Sequence, residues 1–117
     1  MSLLSPFRVC RGGDEFAARW IGSGRQHLNM GRDQRDDSEW FDYEVRINDE
    51  TQLYRMWISD FVAARALEYE IDLANDDRAR DALFAEKFSA GALGNNRCDI
   101  SFEDIDALKN KGAGKMQ

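Results

Sequence analysis

The segment from Glu39 to Ile47 constrains the fold more than any other part of the chain, because its side chains alternate between apolar and polar. The apolar set is Phe41, Tyr43, Val45 and Ile47, and the residues between them are Asp42, Glu44 and Arg46. A period of two places one set on each face of a β-strand, and aromatic and β-branched residues favour that conformation. We therefore predict a strand over residues 39–47 that buries one face.

A long apolar-rich segment follows this strand, and we predict that it forms a central helix from Asp49 to about Leu73. Asp49 and Gln52 have the spacing of a capping-box-like pair at a helix N-terminus. On a helical wheel, the apolar residues of the segment cover roughly two-thirds of the circumference. Such a helix would be covered on several sides, either by the sheet and the later helices or by a partner molecule.

Two shorter helices are predicted nearer the C-terminus. Asn75-Asp76-Asp77 starts a helix that runs to about Ala90, and Ser101 with Asp104 caps a helix that runs to about Asn110. The predicted fold is α+β, with a small antiparallel sheet of three or four strands in the N-terminal half followed by three helices packed on one face. Residues 1–110 would form this single domain, and residues 111–117 a flexible tail.

The string Gly12-Gly13-Asp14-Glu15-Phe16, with Arg11 before it, resembles the motif of GGDEF-type diguanylate cyclases. In that family the motif caps a β-hairpin, so the resemblance implies flanking strands at residues 7–10 and 16–20. It also implies that the glycines admit a nucleotide and that Asp14 and Glu15 serve Mg²⁺ binding and catalysis. Glycines suit a tight turn, and carboxylate oxygens are ligands that Mg²⁺ prefers.

The same string also fits a plain turn in which Asp14 caps the segment that follows. The family places a strand, a helical segment and another metal-binding aspartate upstream, whereas eleven residues precede Gly12 here. A two-metal reaction needs ligands from several elements, so we favour the plain turn. Whether residues 14–21 form a strand or a short helix stays open.

Charge is distributed unevenly along the chain. Net charge is −6, but residues 1–35 carry +3 and the remaining 82 residues carry −9. Five basic residues of the N-terminal third could bind a phosphate, a nucleotide or RNA: Arg19, Arg25, His27, Arg32 and Arg35. The alternative is that these side chains form ion pairs with the acidic part of the same molecule, and an acidic protein is a poor nonspecific DNA binder.

Catalytic chemistry finds little support in the sequence. Glu68 and Asp72 lie one helical turn apart and could share a cation, although Arg65 could instead pair with Glu68. Cys10 and Cys98 form no zinc motif, and no recognisable nucleophile accompanies the single histidine. We predict no catalytic residue, no cofactor and no metal site, with Asp14 and Glu15 as the weak metal alternative. The chain has no predicted targeting or membrane-spanning segment, which indicates a cytoplasmic protein.

The leading functional hypothesis is a non-enzymatic adaptor or inhibitor of a larger partner complex. Trp40, Asp42 and Glu44 would present an aromatic and acidic strand face to a protein partner. Phage-encoded inhibitors such as anti-CRISPR proteins include small acidic domains of this profile, an analogy of class alone. The alternatives are an anion-binding module that uses the arginines and a degenerate GGDEF-like nucleotide and Mg²⁺ site.

Overall fold

A single mixed sheet organises the molecule in the computed structural model, which describes residues 6–29 and 35–110. The strands are neighbours in chain order: β1 Phe7–Arg11, β2 Asp14–Asn29, β3 Arg35–Ile47, β4 Glu50–Ser59 and β5 Arg97–Asp99. The helices are α1 Asp60–Glu68, α2 Asp77–Ser89 and α3 Phe102–Asn110. Strands β1 to β4 are antiparallel, whereas β5 runs parallel to β4.

The predicted sheet of three or four antiparallel strands followed by three helices is therefore wrong. The sheet has five described strands, and the last of them lies near the C-terminus, after α1 and α2. A parallel neighbour requires a long crossover, and these two helices form it between β4 and β5. Strand β5 has no recognisable sequence pattern, because only Cys98 of its three residues is buried and three residues are too few to show a period of two.

The predicted helix from Asp49 to Leu73 is also wrong over its first half, which is strand β4. Asn48 has a positive φ of 52° in a tight turn, and β4 returns along β3 from Glu50. The inward residues Tyr54, Met56 and Ile58 alternate with the outward residues Leu53, Arg55 and Trp57. Because both faces carry apolar side chains, the period of two is hidden, and the segment also matches a broad helical stripe. Helix α1 begins only at Asp60, where the Ser59 hydroxyl accepts a hydrogen bond from the Val62 backbone.

A tight turn at Gly12-Gly13 joins β1 to β2. Both glycines have positive φ, 60° and 87°, a conformation that residues with a Cβ rarely adopt. Arg11 pairs with Asp14 in the antiparallel register, so residues 14–21 belong to a strand rather than to a short helix. The hairpin expected around this turn is thus present.

Strands β2 and β3 form the longest pairing of the sheet, and a register shift between Trp20 and Gly22 interrupts it. The predicted strand 39–47 is confirmed within β3, with Phe41, Tyr43 and Val45 fully buried. Strand β3 begins at Arg35, and residues 30–34 between β2 and β3 lie outside the described residues.

The helices predicted near residues 75–90 and 101–110 are confirmed as α2 and α3. Asp76 caps α2 by accepting from the Ala79 backbone, and Ser101 and Asp104 exchange the hydrogen bonds of a capping box before α3. Together with α1, these helices pack on the sheet face that carries Tyr43, whose ring stacks on Phe84 with centroids 4.2 Å apart. None of the helices in the described residues is long and apolar enough to cross a membrane. The tail at 111–117 lies outside the described residues.

Candidate functional site

The sheet face opposite the helices, called the outer face below, carries a pair of tryptophans. Trp40 of β3 lies directly across from Trp57 of β4, and their ring centroids are 5.0 Å apart with an interplanar angle of 56°. Trp40 also lies over Gly24 of β2, where a Cβ atom would come within 2.1 Å of the indole carbon Cζ2. Glycine at position 24 is therefore what allows the Trp40 ring to lie against the sheet.

Two arginines flank the tryptophan pair. The Arg55 guanidinium carbon lies 4.6 Å from the Trp40 ring centroid and 5.6 Å from that of Trp57, and Arg97 lies 5.0 Å from Trp57 on the other side. Asp42 accepts two hydrogen bonds from Arg55, at 2.7 and 3.0 Å, and these bonds raise the pKa of that guanidinium. Arg55 is thus fixed over the rings by a bidentate ion pair.

The predicted partner-binding residues Trp40, Asp42 and Glu44 are brought together on this outer face. The two carboxylates are matched by cations, because Asp42 pairs with Arg55 and Glu44 pairs with Arg19. The strand registers place both signs of charge on the face, arginines at Arg8, Arg19, Arg46, Arg55 and Arg97 and carboxylates at Glu15, Asp42, Glu44 and Asp99. The surface is therefore nearly charge-balanced, with Leu53 exposed beside Arg55.

The predicted anion-binding residues are not brought together as one cluster. Arg19 lies on the outer face, whereas Arg25 lies beyond the register shift on the helix-covered face, where it pairs with Glu39 at 3.6 Å and Asp60 at 3.1 Å. His27 and Arg35 belong to the paired ends of β2 and β3, and Arg32 lies outside the described residues.

Asp14 and Glu15, the weak metal alternative, follow the glycine turn at the start of β2. Successive side chains of a strand point to opposite faces, so the two carboxylates diverge. Glu15 accepts from Arg8 at 2.8 Å on the outer face. Within the described residues, no group of three or more histidine, cysteine, aspartate or glutamate side chains is arranged to hold a metal ion.

A cleft of about 340 Å³ opens between α1, the segment after it and the helix-covered end of the sheet. This feature, called the α1 cleft below, has an apolar interior that includes Phe41, Ile58, Ala63, Ala66, Leu67, Ile71 and Leu73. Its charged lining residues are Arg25, Glu39, Asp60 and Asp72. Burial is the main cause that raises the pKa of Glu39, while Arg25 opposes it and the negative charges of Asp60 and Asp72 add to it.

The carboxylate pair considered at Glu68 and Asp72 is not on one helix. Helix α1 ends at Glu68, and Glu70 takes a positive φ of 64° in the turn that follows. Arg65 pairs with Asp106 of α3 at 3.4 Å rather than with Glu68, so that alternative is wrong as well. Asp72 instead reaches the α1 cleft.

Arg80 is fully buried, which its sequence position did not indicate because neighbouring arginines in α2 look alike. Its guanidinium lies 4.2 Å from the Trp20 ring centroid, donates to the carbonyls of Leu73 and Ala74, and pairs with Asp77. The Arg80 Nε and Trp20 Nε1 atoms have no hydrogen-bond partner among the described residues. Arg80 thereby fixes the chain between α1 and α2, which forms one wall of the α1 cleft.

The cysteines do not form a reactive site in this arrangement. Both are free, and Cys10 is exposed on β1 whereas Cys98 is buried on β5. Burial raises the pKa of the Cys98 thiol to about 11, so it is protonated and unreactive at neutral pH.

Comparison with known proteins places the molecule in no group. No protein-family model matches the chain, and no curated protein or solved structure matches it either. The outer face and the α1 cleft are therefore the features from which we infer a function.

Proposed function

We propose that the protein is a non-enzymatic adaptor or inhibitor that binds a larger protein partner through its outer face. The observation that carries this proposal is the Trp40–Trp57 pair, flanked by Arg55 and Arg97 on a sheet face that the helices leave open. Tryptophan and arginine are the residues that most often dominate binding energy in protein interfaces.

The geometry favours binding because much of the surface is already ordered. Trp40 is held against Gly24, and Arg55 is held by Asp42, so neither side chain loses much rotational freedom when a partner docks. Leu53, 57% exposed, extends the apolar area beside them. Because most charges of the face are paired internally, the partner surface is expected to be mainly apolar at its centre.

Arg97, the second arginine beside the tryptophan pair, adds a polar requirement. Its contact with Asp99 is long, 3.5 Å between nitrogen and oxygen, and both side chains are more than half exposed. An exposed pair of this kind contributes little stability, so a partner carboxylate could take the place of Asp99. We therefore expect the partner to offer an acidic side chain at the rim next to Trp57. A cytoplasmic location belongs to the same proposal and agrees with the two free cysteines.

A photo-crosslinking amino acid at position 53, expressed in the source cell, tests the proposal. The matched control is the same amino acid at Phe61, which is 77% exposed on α1 of the helix-covered side. A partner crosslinked from position 53 and not from 61, and lost when Trp57→Ala is added, is the expected result. A partner crosslinked only from position 61, or no partner from either, would contradict the proposal.

Single-stranded RNA or a nucleotide is the second candidate ligand for the same face. Trp57 and Arg97 line a cleft of about 510 Å³ together with polar residues that include Gln26 and Ser59, and bases stack well on such rings. Against this stands the net charge of −6. Titration with a fluorescent oligonucleotide at two salt concentrations decides between this ligand and a protein partner, since phosphate binding weakens steeply with salt.

A further inference from the structure

The α1 cleft combines an apolar interior with an excess of negative charge at its lining. Among the described lining residues, the carboxylates Glu39, Asp60 and Asp72 share the cleft with one guanidinium, that of Arg25. Arg25 is divided between Glu39, at 3.6 Å, and Asp60, at 3.1 Å. Asp72 accepts from the Asn75 side chain at 2.8 Å, which is a neutral donor. The lining groups are therefore left with more negative than positive charge.

Among the side chains that the structure describes, nearby cations do not correct this imbalance. Arg80 lowers the pKa of Glu39 through its charge, but its own hydrogen bonds go to the Leu73 and Ala74 carbonyls and to Asp77. The Glu39 side chain is only 17% exposed, so its ionised form is poorly hydrated. A cation that enters the cleft would therefore stabilise the ionised Glu39 carboxylate, which water hydrates poorly at this position.

We propose that the α1 cleft binds a small organic ammonium ion with an apolar body. The ammonium group would lie beside Glu39 and Asp72, and the apolar body would lie against Ile58, Ala63 and Leu73. The cleft volume falls within the range of roughly 300–1,000 Å³ that is usual for small-ligand pockets. Leu67, exposed on α1 and part of the lining, extends the apolar contact towards solvent. This site is separate from the outer face and does not depend on the adaptor function.

Calorimetric titration of the full chain with octylammonium below its micelle concentration tests the proposal, with octanoate and octanol as matched probes. Octylammonium is expected to bind at one site, with octanol at least tenfold weaker and octanoate weaker still. Binding of octanoate as tight as that of octylammonium would overturn the charge selection, and no binding of octylammonium would overturn the site.

Variants locate the binding. Glu39→Gln is expected to weaken octylammonium binding at least tenfold, and Ala63→Leu is expected to block it. The surface controls Glu103→Gln and Ala107→Leu are expected to leave this binding unchanged. If Glu39→Gln reduces the folded fraction, Asp72→Asn tests instead whether a negative charge of the cleft is needed for binding. Equal binding by Ala63→Leu and wild type would contradict the placement of the apolar body. Leu53→Asp on the outer face should have no effect, which separates this outcome from that of the proposed function.

Discussion

At the scale of single residues, the outer face depends on contacts that the alternation of β3 could not reveal. That pattern predicted that Trp40, Asp42 and Glu44 share a face, because period two follows from strand geometry alone. Their partners Gly24, Arg55 and Arg19 come from other strands and are fixed by pairing register. Register is a property of the assembled sheet, so the sequence predicted the row of residues but not the ion pairs or the ring packing.

Replacing Gly24 with alanine should displace the Trp40 ring, because the added Cβ would overlap the indole. We expect a loss of roughly 1–3 kcal/mol in the free energy of unfolding, as is typical of overpacking. Urea denaturation measures the loss, and near-ultraviolet circular dichroism reports the ring. Gly22→Ala is the control, because a Cβ there would meet no described atom within 4 Å. Equal stability of the two variants would contradict the ring placement.

Glu39 should make stability depend on pH through its raised pKa. When the pKa of a carboxyl is higher in the folded state, the folded protein binds the proton more tightly, so stability falls as pH rises through that value. Glu39→Gln should therefore be more stable than wild type at pH 7, with the advantage disappearing near pH 4. Urea denaturation at both pH values tests this, with Glu103→Gln at an exposed position of α3 as control. If the stability of the variant relative to wild type were lower at pH 7 than at pH 4, this result would contradict the burial of the Glu39 charge.

At the scale of elements, the sequence predicted those segments whose ends and faces are both marked. Helices α2 and α3 have acidic or hydroxyl caps and clear apolar sides, and they were predicted to within a few residues. Strand β4 was mistaken for helix because Leu53 and Trp57 are apolar on its outer face. In β2 and β5 the strand pattern is weak because too few side chains are apolar, whereas in β4 too many are. The glycines of β2 and the short length of β5 account for this.

The two aspartates that the sequence marks as helix caps should differ in their effect on stability. Asp76→Ala removes the hydrogen bond to the Ala79 backbone at the start of α2 and should cost about 1 kcal/mol. Asp49→Ala changes an exposed turn residue before β4 and should cost less than about 0.5 kcal/mol. Thermal and urea unfolding of the two variants gives the comparison. A larger loss for Asp49→Ala would favour the helix that the sequence suggested.

At the scale of the whole molecule, the helices and the helix-covered face of the sheet share one hydrophobic core. Residues from β1 to α3 contribute to it, including Val9, Phe41, Phe84 and Ile105. Such a shared core favours cooperative unfolding, in which no helix leaves the sheet without exposing the rest. The uneven charge along the sequence is partly offset in three dimensions, because the N-terminal arginines Arg19 and Arg25 pair with acidic residues of β3 and α1.

The two thiols should report on this cooperativity. In native buffer Cys10 should react quickly with a thiol reagent, whereas buried Cys98, with its raised pKa of about 11, should react only through unfolding. With typical stabilities, we expect its labelling to be at least about a thousandfold slower. The rate is measured in a Cys10→Ser variant at rising urea. Fast labelling of Cys98 without urea would show that β5 detaches locally.

The position of β5 also has a consequence for synthesis on the ribosome. Strands β1 to β4 can pair as soon as residue 59 is available, but the strand that covers the edge of β4 is made about 40 residues later. Until then β4 presents unpaired backbone groups, and an exposed strand edge can pair with another chain. The nascent protein therefore passes through an interval in which the sheet is nearly complete but its edge is unprotected, and this interval ends only when Arg97–Asp99 arrives.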